Sequence, residues 1–473
     1  MNPMRRRDFL STLGHAAAAA TLANAAPSPR RPNIIFILVD DPGYGDFGVN
    51  GNHDVPTPNM DSLARDGVLF EQFYVASPVC SPSRVAFTTG QYPARHLINS
   101  YLNDRKSNRK LGMRDWLDPK APCVARAFKD AGYVTGHFGK WHMGGGRDVG
   151  DAPLPQAYGF DESVTSFEGL GDRLLIENDN LSKQSAALDR GKITWAPKHK
   201  LTELYIDGAL DFLRRNKEKP FYLHVWPCDV HDEHIPRADL LAKYDRFAND
   251  PPKQKFYAVL DELDRQIGRF LKTIDELGLG DNTIIALTGD NGPTAWPRYY
   301  RNGGDAPGST GGLRGRKWSL YEGGIREPLF FRWRGVLPAG HVDRETIVDG
   351  VDLFPTFCAL AGVKPPANAD FDGEDMSRAV RGKPMHRAHP LMWEYGRTPD
   401  YLYPGREDDK SPNLAIRDGR WKLLINADGT RAELYDFSKS DKERDNVADR
   451  YPDVVKRLSA QVIAWRKSLP VLE

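Results

Sequence analysis

Asn33-Ile-Ile-Phe-Ile-Leu-Val39, followed at once by Asp40-Asp41-Pro42-Gly43, is the stretch on which the fold turns. An apolar run with β-branched residues and no polar alternation predicts a strand buried on both faces, as at the centre of a parallel sheet. Two acidic residues end it, and Pro-Gly turns the chain away. Two more runs share this form: Phe221 to Trp226 before Pro227-Cys228-Asp229, and Thr283 to Thr288 before Gly289-Asp290-Asn291-Gly292-Pro293. Helical periodicity fills Leu201 to Arg215 and Phe256 to Gly278. Strands alternating with helices predict a doubly wound α/β fold, a large and mostly parallel sheet with helices on its faces. Ligands bind such sheets beyond the carboxyl ends of the strands, where these polar clusters fall.

Further out, Leu414 to Ile425 reads as two short strands across an Asp418-Gly419 hairpin turn, and Pro452 to Lys467 as an amphipathic helix. A smaller antiparallel sheet with a helix is therefore expected from about residue 396, after the polar, Pro- and Gly-containing stretch Arg397 to Pro412. At the other end, Arg5-Arg6-Arg7 precede Phe9-Leu10 and an Ala-rich stretch from Ala16 to Ala26 that is too short to span a bilayer. Arg6-Arg7-Asp8-Phe9-Leu10 fits a twin-arginine export signal, with Ala23-Asn24-Ala25 as its small-x-small cleavage site. The expected division is an export signal over 1–25, a main α/β domain over 26–395 and a C-terminal subdomain over 396–473. The expected location is periplasmic or extracellular, with no membrane span in the mature chain.

The 473 residues are 40% hydrophobic and 27% charged, with 10 Trp, 18 Tyr and 21 Phe, which describes a globular chain with a large core. With 65 basic against 64 acidic side chains, the net charge is +1. That balance argues against nucleic acid or anionic membrane as a partner, since both need a concentrated basic excess. Loss of residues 1–25 removes three Arg and one Asp and leaves a mature charge of −1. An anion must therefore be gripped locally. The 4 cysteines, at positions 80, 123, 228 and 358, form no C-x-x-C pair. One disulfide is compatible with the spacing. If Cys80 is set aside for chemistry, at least one of the other three is expected as a buried free thiol.

Asp40-Asp41 and Asp290-Asn291 end two apolar strands. Each pair alone reads as solvated turn residues, but two such pairs suit a hard divalent cation, Ca²⁺ or Mg²⁺, rather than zinc. The stretch Cys80-Ser81-Pro82-Ser83-Arg84-Val-Ala-Phe-Thr-Thr89-Gly90 has two physical readings. Cys80 beside a helix start and Arg84 could be an activated thiolate. Alternatively it is a buried Cys in a Ser-Pro turn, with Ser81 or Ser83 capping the helix.

C-x-P-S-R followed by four residues and T-G resembles the signature of the type I, formylglycine-dependent sulfatases of the alkaline-phosphatase-like superfold. Further segments agree in order. They are Asp40-Asp41-x-Gly43-Tyr44-x-Asp46, Gly132-Tyr133-x-Thr135-x-x-x-Gly139-Lys140-x-His142, Gly289-Asp290-Asn291-Gly292 and Leu313-Arg314-Gly315-x-Lys317-x-x-x-Tyr321-Glu322-Gly323-Gly324. In the tail, Glu433-Leu-Tyr-Asp436 and Asp441 to Asn446 are similar to the family's C-terminal subdomain. The resemblance runs from about Pro32 to Leu458. Pro42 departs from it, standing where the family usually has a larger residue.

The resemblance implies hydrolysis of a sulfate ester with release of sulfate. Cys80 would be oxidised to formylglycine by a formylglycine-generating or sulfatase-maturating enzyme. Asp40, Asp41, Asp290, Asn291 and the modified Cys80 would hold the metal, Ca²⁺ before Mg²⁺. The aldehyde would be hydrated, and one hydroxyl, activated by the metal and Arg84, would attack sulfur. Lys140 and Lys317 would hold the sulfate oxygens. His142 would be the base, and a histidine after the Phe221–Trp226 strand the acid.

That segment reads Asp229-Val-His231-Asp-Glu-His234-Ile-Pro236. His234 copies the family's His-x-Pro spacing, whereas the preceding Asp-Val makes His231 the closer match to the strand end. His231 is taken as the acid and His234 as a substrate contact. Export favours a sulfated saccharide as substrate. Its contacts are expected from Arg95, His96, Tyr101, Asp104-Arg105, Trp226, Asp229 and Trp296 to Arg301. A phosphatase or phosphodiesterase of the same superfold would share the metal carboxylates but place Ser or Thr at the nucleophile. A non-catalytic carbohydrate-binding protein would use the Trp and Tyr for stacking but leaves the ordered motifs without a reason. A papain-type cysteine hydrolase has no supporting context.

Overall fold

The computed structural model describes residues 31–472. The expected export signal of residues 1–25 lies outside them. Eleven strands form one large sheet: β1 (Asn33–Val39), β2 (Val68–Tyr74), β3 (Val134–Lys140), β4 (Glu162–Ser166), β5 (Arg173–Ile176), β6 (Ile193–Ala196), β7 (Phe221–Trp226), β8 (Thr283–Gly289), β9 (Arg326–Arg332), β10 (His341–Asp343) and β11 (Val348–Asp349). Their order is β10-β2-β9-β8-β1-β7-β3-β4-β5-β6, with β11 also on β2. Only β9 runs against its neighbours, pairing antiparallel with β2 and β8.

The expected central strand sits between β7 and β8, parallel to both. Every residue of β1 is buried, and the period-2 geometry of a strand divides its side chains between two cores. Ile34, Phe36 and Leu38 join one core with the helices Cys80–Thr89, Val124–Asp130 and Leu353–Ala361. Ile35, Ile37 and Val39 join the other with the helices Pro58–Arg65, Leu201–Asn216 and Pro251–Glu276. Full burial of one such side chain is worth about 1.5–3 kcal/mol. A strand apolar on both faces is thus committed to the middle layer.

The second sheet has four antiparallel strands, β12 (Leu391–Glu394), β13 (Leu414–Asp418), β14 (Trp421–Ile425) and β15 (Glu433–Asp436). Its first strand precedes the boundary expected near 396. Leu414, Ile416, Leu423 and Ile425 pack with Leu458 and Val462 of the helix Pro452–Ser468, while Ala415, Leu424 and Trp393 face the main core. All four cysteines are buried free thiols. Among the described residues, no helix is long and apolar enough to cross a membrane.

Candidate active site

Register assembles the site. Val39 pairs with Gly289, so Asp40-Asp41 and Asp290-Asn291 leave the sheet side by side. Gly139 pairs with Trp226, which brings Lys140 to the same edge. Gly139 has φ +133°, and a Cβ there would lie 1.9 Å from the Trp226 carbonyl oxygen, so only glycine lets β3 approach β7 this closely. A Cβ on Gly292 would likewise meet the Gly323 carbonyl oxygen at 2.0 Å. That close crossing holds the Lys317 loop against Asp290-Asn291.

Cys80 is the first residue of its helix, and neither Ser81 nor Ser83 caps it. Ser81 Oγ instead accepts the Leu102 amide at 2.9 Å. Cys80 Sγ lies 3.7 Å from carboxylate oxygens of both Asp40 and Asp41, with Lys317 Nζ 3.4 Å away. Burial pushes its thiol up to about 12, although Lys140 and Lys317 pull the other way. The activated-thiolate reading finds no support in these surroundings.

Around the thiol, three cations answer three carboxylates. Lys140 Nζ donates to both oxygens of Asp40 at 2.9 and 2.7 Å, and Lys317 Nζ to both oxygens of Asp41 at 2.5 and 2.6 Å. Arg84 reaches Asp290 Oδ2 through Nε and Nη2 at 3.1 and 2.7 Å, and the Lys140 carbonyl through Nη1 at 3.0 Å. Burial raises the Asp41 carboxyl, but Lys317 and His231 outweigh it and hold it below its ordinary value. Burial and then Asp40 raise Asp290. Burial opposes the charge on Lys317 and Lys140, yet Asp41 and Asp40 respectively raise both above their ordinary values, so both stay ammonium.

The donor set suits a cation. Asp40, Asp41, Cys80 and His231 each offer a ligand atom within 4.8 Å of one another. Asn291 donates Nδ2 to Asp41 Oδ1 at 2.7 Å and to its neighbour's carbonyl at 2.9 Å, while its buried Oδ1 has no partner. A buried amide oxygen without a donor is costly, and a hard ion among carboxylates satisfies it.

Residues 32–363 match the family described as Sulfatase, and residues 315–468 match N-sulphoglucosamine sulphohydrolase, C-terminal. The chain belongs to the sulfatase family. It is 32% identical to mouse N-acetylgalactosamine-6-sulfatase over 394 residues, covering 81% of this chain and 72% of that one. It is 32% identical to human arylsulfatase A over 492 residues, covering 93% and 88%. The crystal structure of Ps i-CgsB in complex with k-i-k-neocarrahexaose is similar, with a TM-score of 0.77 and 27% identity over 94% of each chain. The protein is a sulfuric ester hydrolase.

In this sulfatase a cavity of about 660 Å³ opens over Cys80, lined among others by Asp40, Lys140, His142, His231 and Lys317. His231 presents Nε2 to Asp41 Oδ2 at 3.7 Å with 23% of its side chain exposed. Its Nδ1 lies 2.6 Å from the Asp232 carbonyl and is therefore the donating nitrogen. In the neutral ring Nε2 therefore carries a lone pair, and it holds a proton to give only as the imidazolium, the state that the neighbouring Asp41 carboxylate favours against burial. His142, at φ +52°, has Nε2 3.3 Å from the Leu102 carbonyl, and its buried Nδ1 has no partner. The proton on Nε2 leaves Nδ1 a free lone pair. Burial holds both imidazoles well below their ordinary pKa.

Of the expected substrate contacts, Tyr101 and Trp296 line the cavity. The others do not, and most are held by partners of their own. His234 turns inward, giving Nε2 to the Val230 carbonyl at 2.9 Å with its ring edge-on to Phe256. Trp226 is core, stacked on His224 at 4.2 Å with the Arg84 guanidinium 5.3 Å from its ring. Asp229 accepts from Thr202, and its carbonyl accepts the Asp40 amide at 3.1 Å, so it fastens the loop to β1. Arg95 is spent on Asp370 at 2.6 Å and Asp372 at 2.9 Å, with the half-buried His96 beside it. Asp104 caps the helix Arg105–Lys110, Arg105 pairs with Asp115 and Asp151, and Tyr299 and Arg298 bind Asp232.

Several lining residues carry no motif. Lys198 gives its ammonium to the carbonyls of His231 and Glu233, and Arg147 pairs with Glu168. The one local signal for Arg147 is the preceding Gly144-Gly145-Gly146, a backbone that must bend where side chains cannot.

Proposed function

We propose that this sulfatase is an exported enzyme acting on a sulfated saccharide, with Cys80 converted to formylglycine by a maturation enzyme and Ca²⁺ held by Asp40, Asp41, Asp290 and Asn291. The observation that carries it is Cys80 at a helix start, within hydrogen-bonding range of Asp40, Asp41 and Lys317 on the floor of the large cavity. The saccharide reading is supported by the names of two similar proteins, an N-acetylgalactosamine-6-sulfatase and a structure holding a neocarrahexaose. The export reading rests on Arg6-Arg7 and the Ala-rich stretch after them.

When present, the hydrated aldehyde supplies an oxygen nucleophile and the cation supplies positive charge beside the sulfate oxygens. The chain's own residues do the rest. Lys140 and Lys317, kept charged by Asp40 and Asp41, turn their N–H groups toward sulfate oxygens as negative charge grows on them. Arg84 fixes Asp290 through two nitrogens and so holds that carboxylate in place. His231, once charged to the imidazolium beside Asp41, delivers the Nε2 proton to the departing sugar oxygen, which as a free alkoxide would be a poor leaving group, and returns to the neutral ring with its remaining proton on Nδ1. His142 accepts a proton at its free Nδ1, the step through which sulfate is released and residue 80 restored.

The test is a panel of sulfated mono- and oligosaccharides and their phosphate counterparts, assayed for sulfate and phosphate release with and without a chelator. Chelator-sensitive sulfate release from saccharides is expected. Release that survives exhaustive chelation, or a preference for phosphate, would refute the proposal.

A further inference from the structure

One cation on the cavity wall has no task in this chemistry. Arg147 and Glu168 both take left-handed backbone, at φ +50° and +52°. For residues other than glycine that conformation is strained. A pair held so, side chain to side chain, is a built feature. Arg147 Nε donates to Glu168 Oε1 at 2.8 Å; the two side chains are 19% and 4% exposed. Gly146 leaves room for the clamp, since a Cβ there would lie 2.8 Å from Glu168 Oε2.

Among the described residues, Nε is the only nitrogen of that guanidinium with a hydrogen-bond partner, and neither Nη is a buried orphan. Both are therefore accessible, on a residue that lines the cavity. A guanidinium fixed at Nε presents its two outer nitrogens as a planar fork, the geometry that grips a carboxylate or sulfate.

The fork lies beside the reaction centre. The His142 amide donates to the Phe167 carbonyl at 3.1 Å, the two rings are 5.0 Å apart, and Lys140 Nζ is 5.1 Å from the Phe167 ring. Glu168 is the next residue. Four acidic residues elsewhere in the lining, Glu177, Asp179, Asp232 and Glu233, work against an anion. Lys140 and Lys317 face Asp40 and Asp41, and Lys198 serves backbone carbonyls. Of the lining cations, Arg147 is the one whose pairing leaves two nitrogens without a protein partner among the described residues, and a second negative group on a substrate would meet them there.

We propose that Arg147, clamped by Glu168, is a subsite for a second anionic group, a carboxylate or a second sulfate, carried on the substrate near the ester that is cleaved. The inference rests on reading the cavity over Cys80 as the sulfate-ester site.

The test uses the full chain with Cys80→Ala, which cannot turn over, and measures binding by calorimetry. The probes are a hexose monosulfate, the matching hexose disulfate, and the same monosulfated hexose linked to a uronic acid. One charge-assisted fork is expected to make the disulfate, the uronate compound or both bind about tenfold tighter than the monosulfate. Which one gains tells sulfate from carboxylate. Adding Arg147→Gln should abolish that preference, and Arg147→Lys should keep part of it. Equal affinity for all three probes in the Cys80→Ala chain would overturn the proposal. So would Arg147→Gln weakening all three alike, the mark of a purely structural pair. Sulfate release from the monosulfate by unmutated enzyme, measured in parallel, tests the sulfate-ester reading separately. If release fails while the binding preference stands, that reading falls and the anion subsite remains.

Discussion

Lys422 on β14 places its ammonium 2.9 Å from Glu322 Oε1, and neither side chain has any exposed surface. Glu322 opens the short helix Glu322–Ile325 that follows the Lys317 loop, receives the Tyr74 hydroxyl at 2.8 Å, and shares Lys422 with Glu443. A buried ion pair thus ties the small sheet to the segment carrying a proposed sulfate-binding lysine. Removing one partner of such a pair costs about 3–5 kcal/mol, because the other charge is stranded. Lys422→Met is expected to lower the Tm by roughly 3–5 °C for a chain of this size and to reduce sulfate release. Calorimetry of the variant checks it, and an unchanged Tm would show that the pair is not holding the sheets together.

Asn291 Oδ1 is the unpartnered oxygen of the proposed cation site. Asn291→Ala removes one oxygen ligand and leaves Asp40, Asp41 and Asp290 to repel one another without full compensation. Bound calcium, measured by elemental analysis of purified protein, should fall together with activity. Full calcium content in an inactive variant would assign Asn291 another duty.

The two histidines make different predictions because only His231 faces the cavity. His231→Ala should cut turnover of saccharide sulfates by about 10²- to 10⁴-fold. The loss should shrink for nitrophenyl sulfate, whose phenolate scarcely needs a proton. His234 gives its proton to the Val230 carbonyl, so His234→Ala should act through the shape of the 229–236 loop, with losses of similar size on both substrates. Leaving-group dependence that tracks His234 would transfer the acid role there.

Outside the cavity lining, burial and then Asp352 push the Asp349 carboxyl up from its ordinary 3.8 to about 8. The folded pKa lies above the unfolded one, so folding takes up a proton. The stability this contributes is complete below about pH 4 and is lost as pH rises toward the folded value. Asp349→Asn keeps the Oδ1 that accepts the Val351 amide at 3.1 Å. Its Tm should match the parent in acid and exceed it increasingly as pH rises toward about 8. A difference that does not change with pH would mean that Asp349 is ionised throughout.

Strands buried on both faces announce themselves as unbroken apolar runs, which is why β1, β7 and β8 and the polar clusters at their ends were legible. The outer strands were not. β4, Glu162-Ser-Val-Thr-Ser166, mixes polar and apolar residues, and β12 is four residues following a proline with no turn signal, recognisable only by its pairing with β13. In the site, the motif residues came together because register on neighbouring strands aligns their ends. The substrate contacts failed where tertiary partners took the side chains. The charge of Arg95 is consumed by Asp370 and Asp372, far along the chain, which no local pattern encodes. Arg147 escaped notice because its partner Glu168 and the cavity it faces are both made by the fold.

Mass spectrometry of the peptide containing Cys80, taken from enzyme of measured activity, tests the central claim most directly. The expected result is the mass of an aldehyde in place of the thiol, in a fraction that tracks activity across preparations. Fully active enzyme with an intact Cys80 thiol would contradict it.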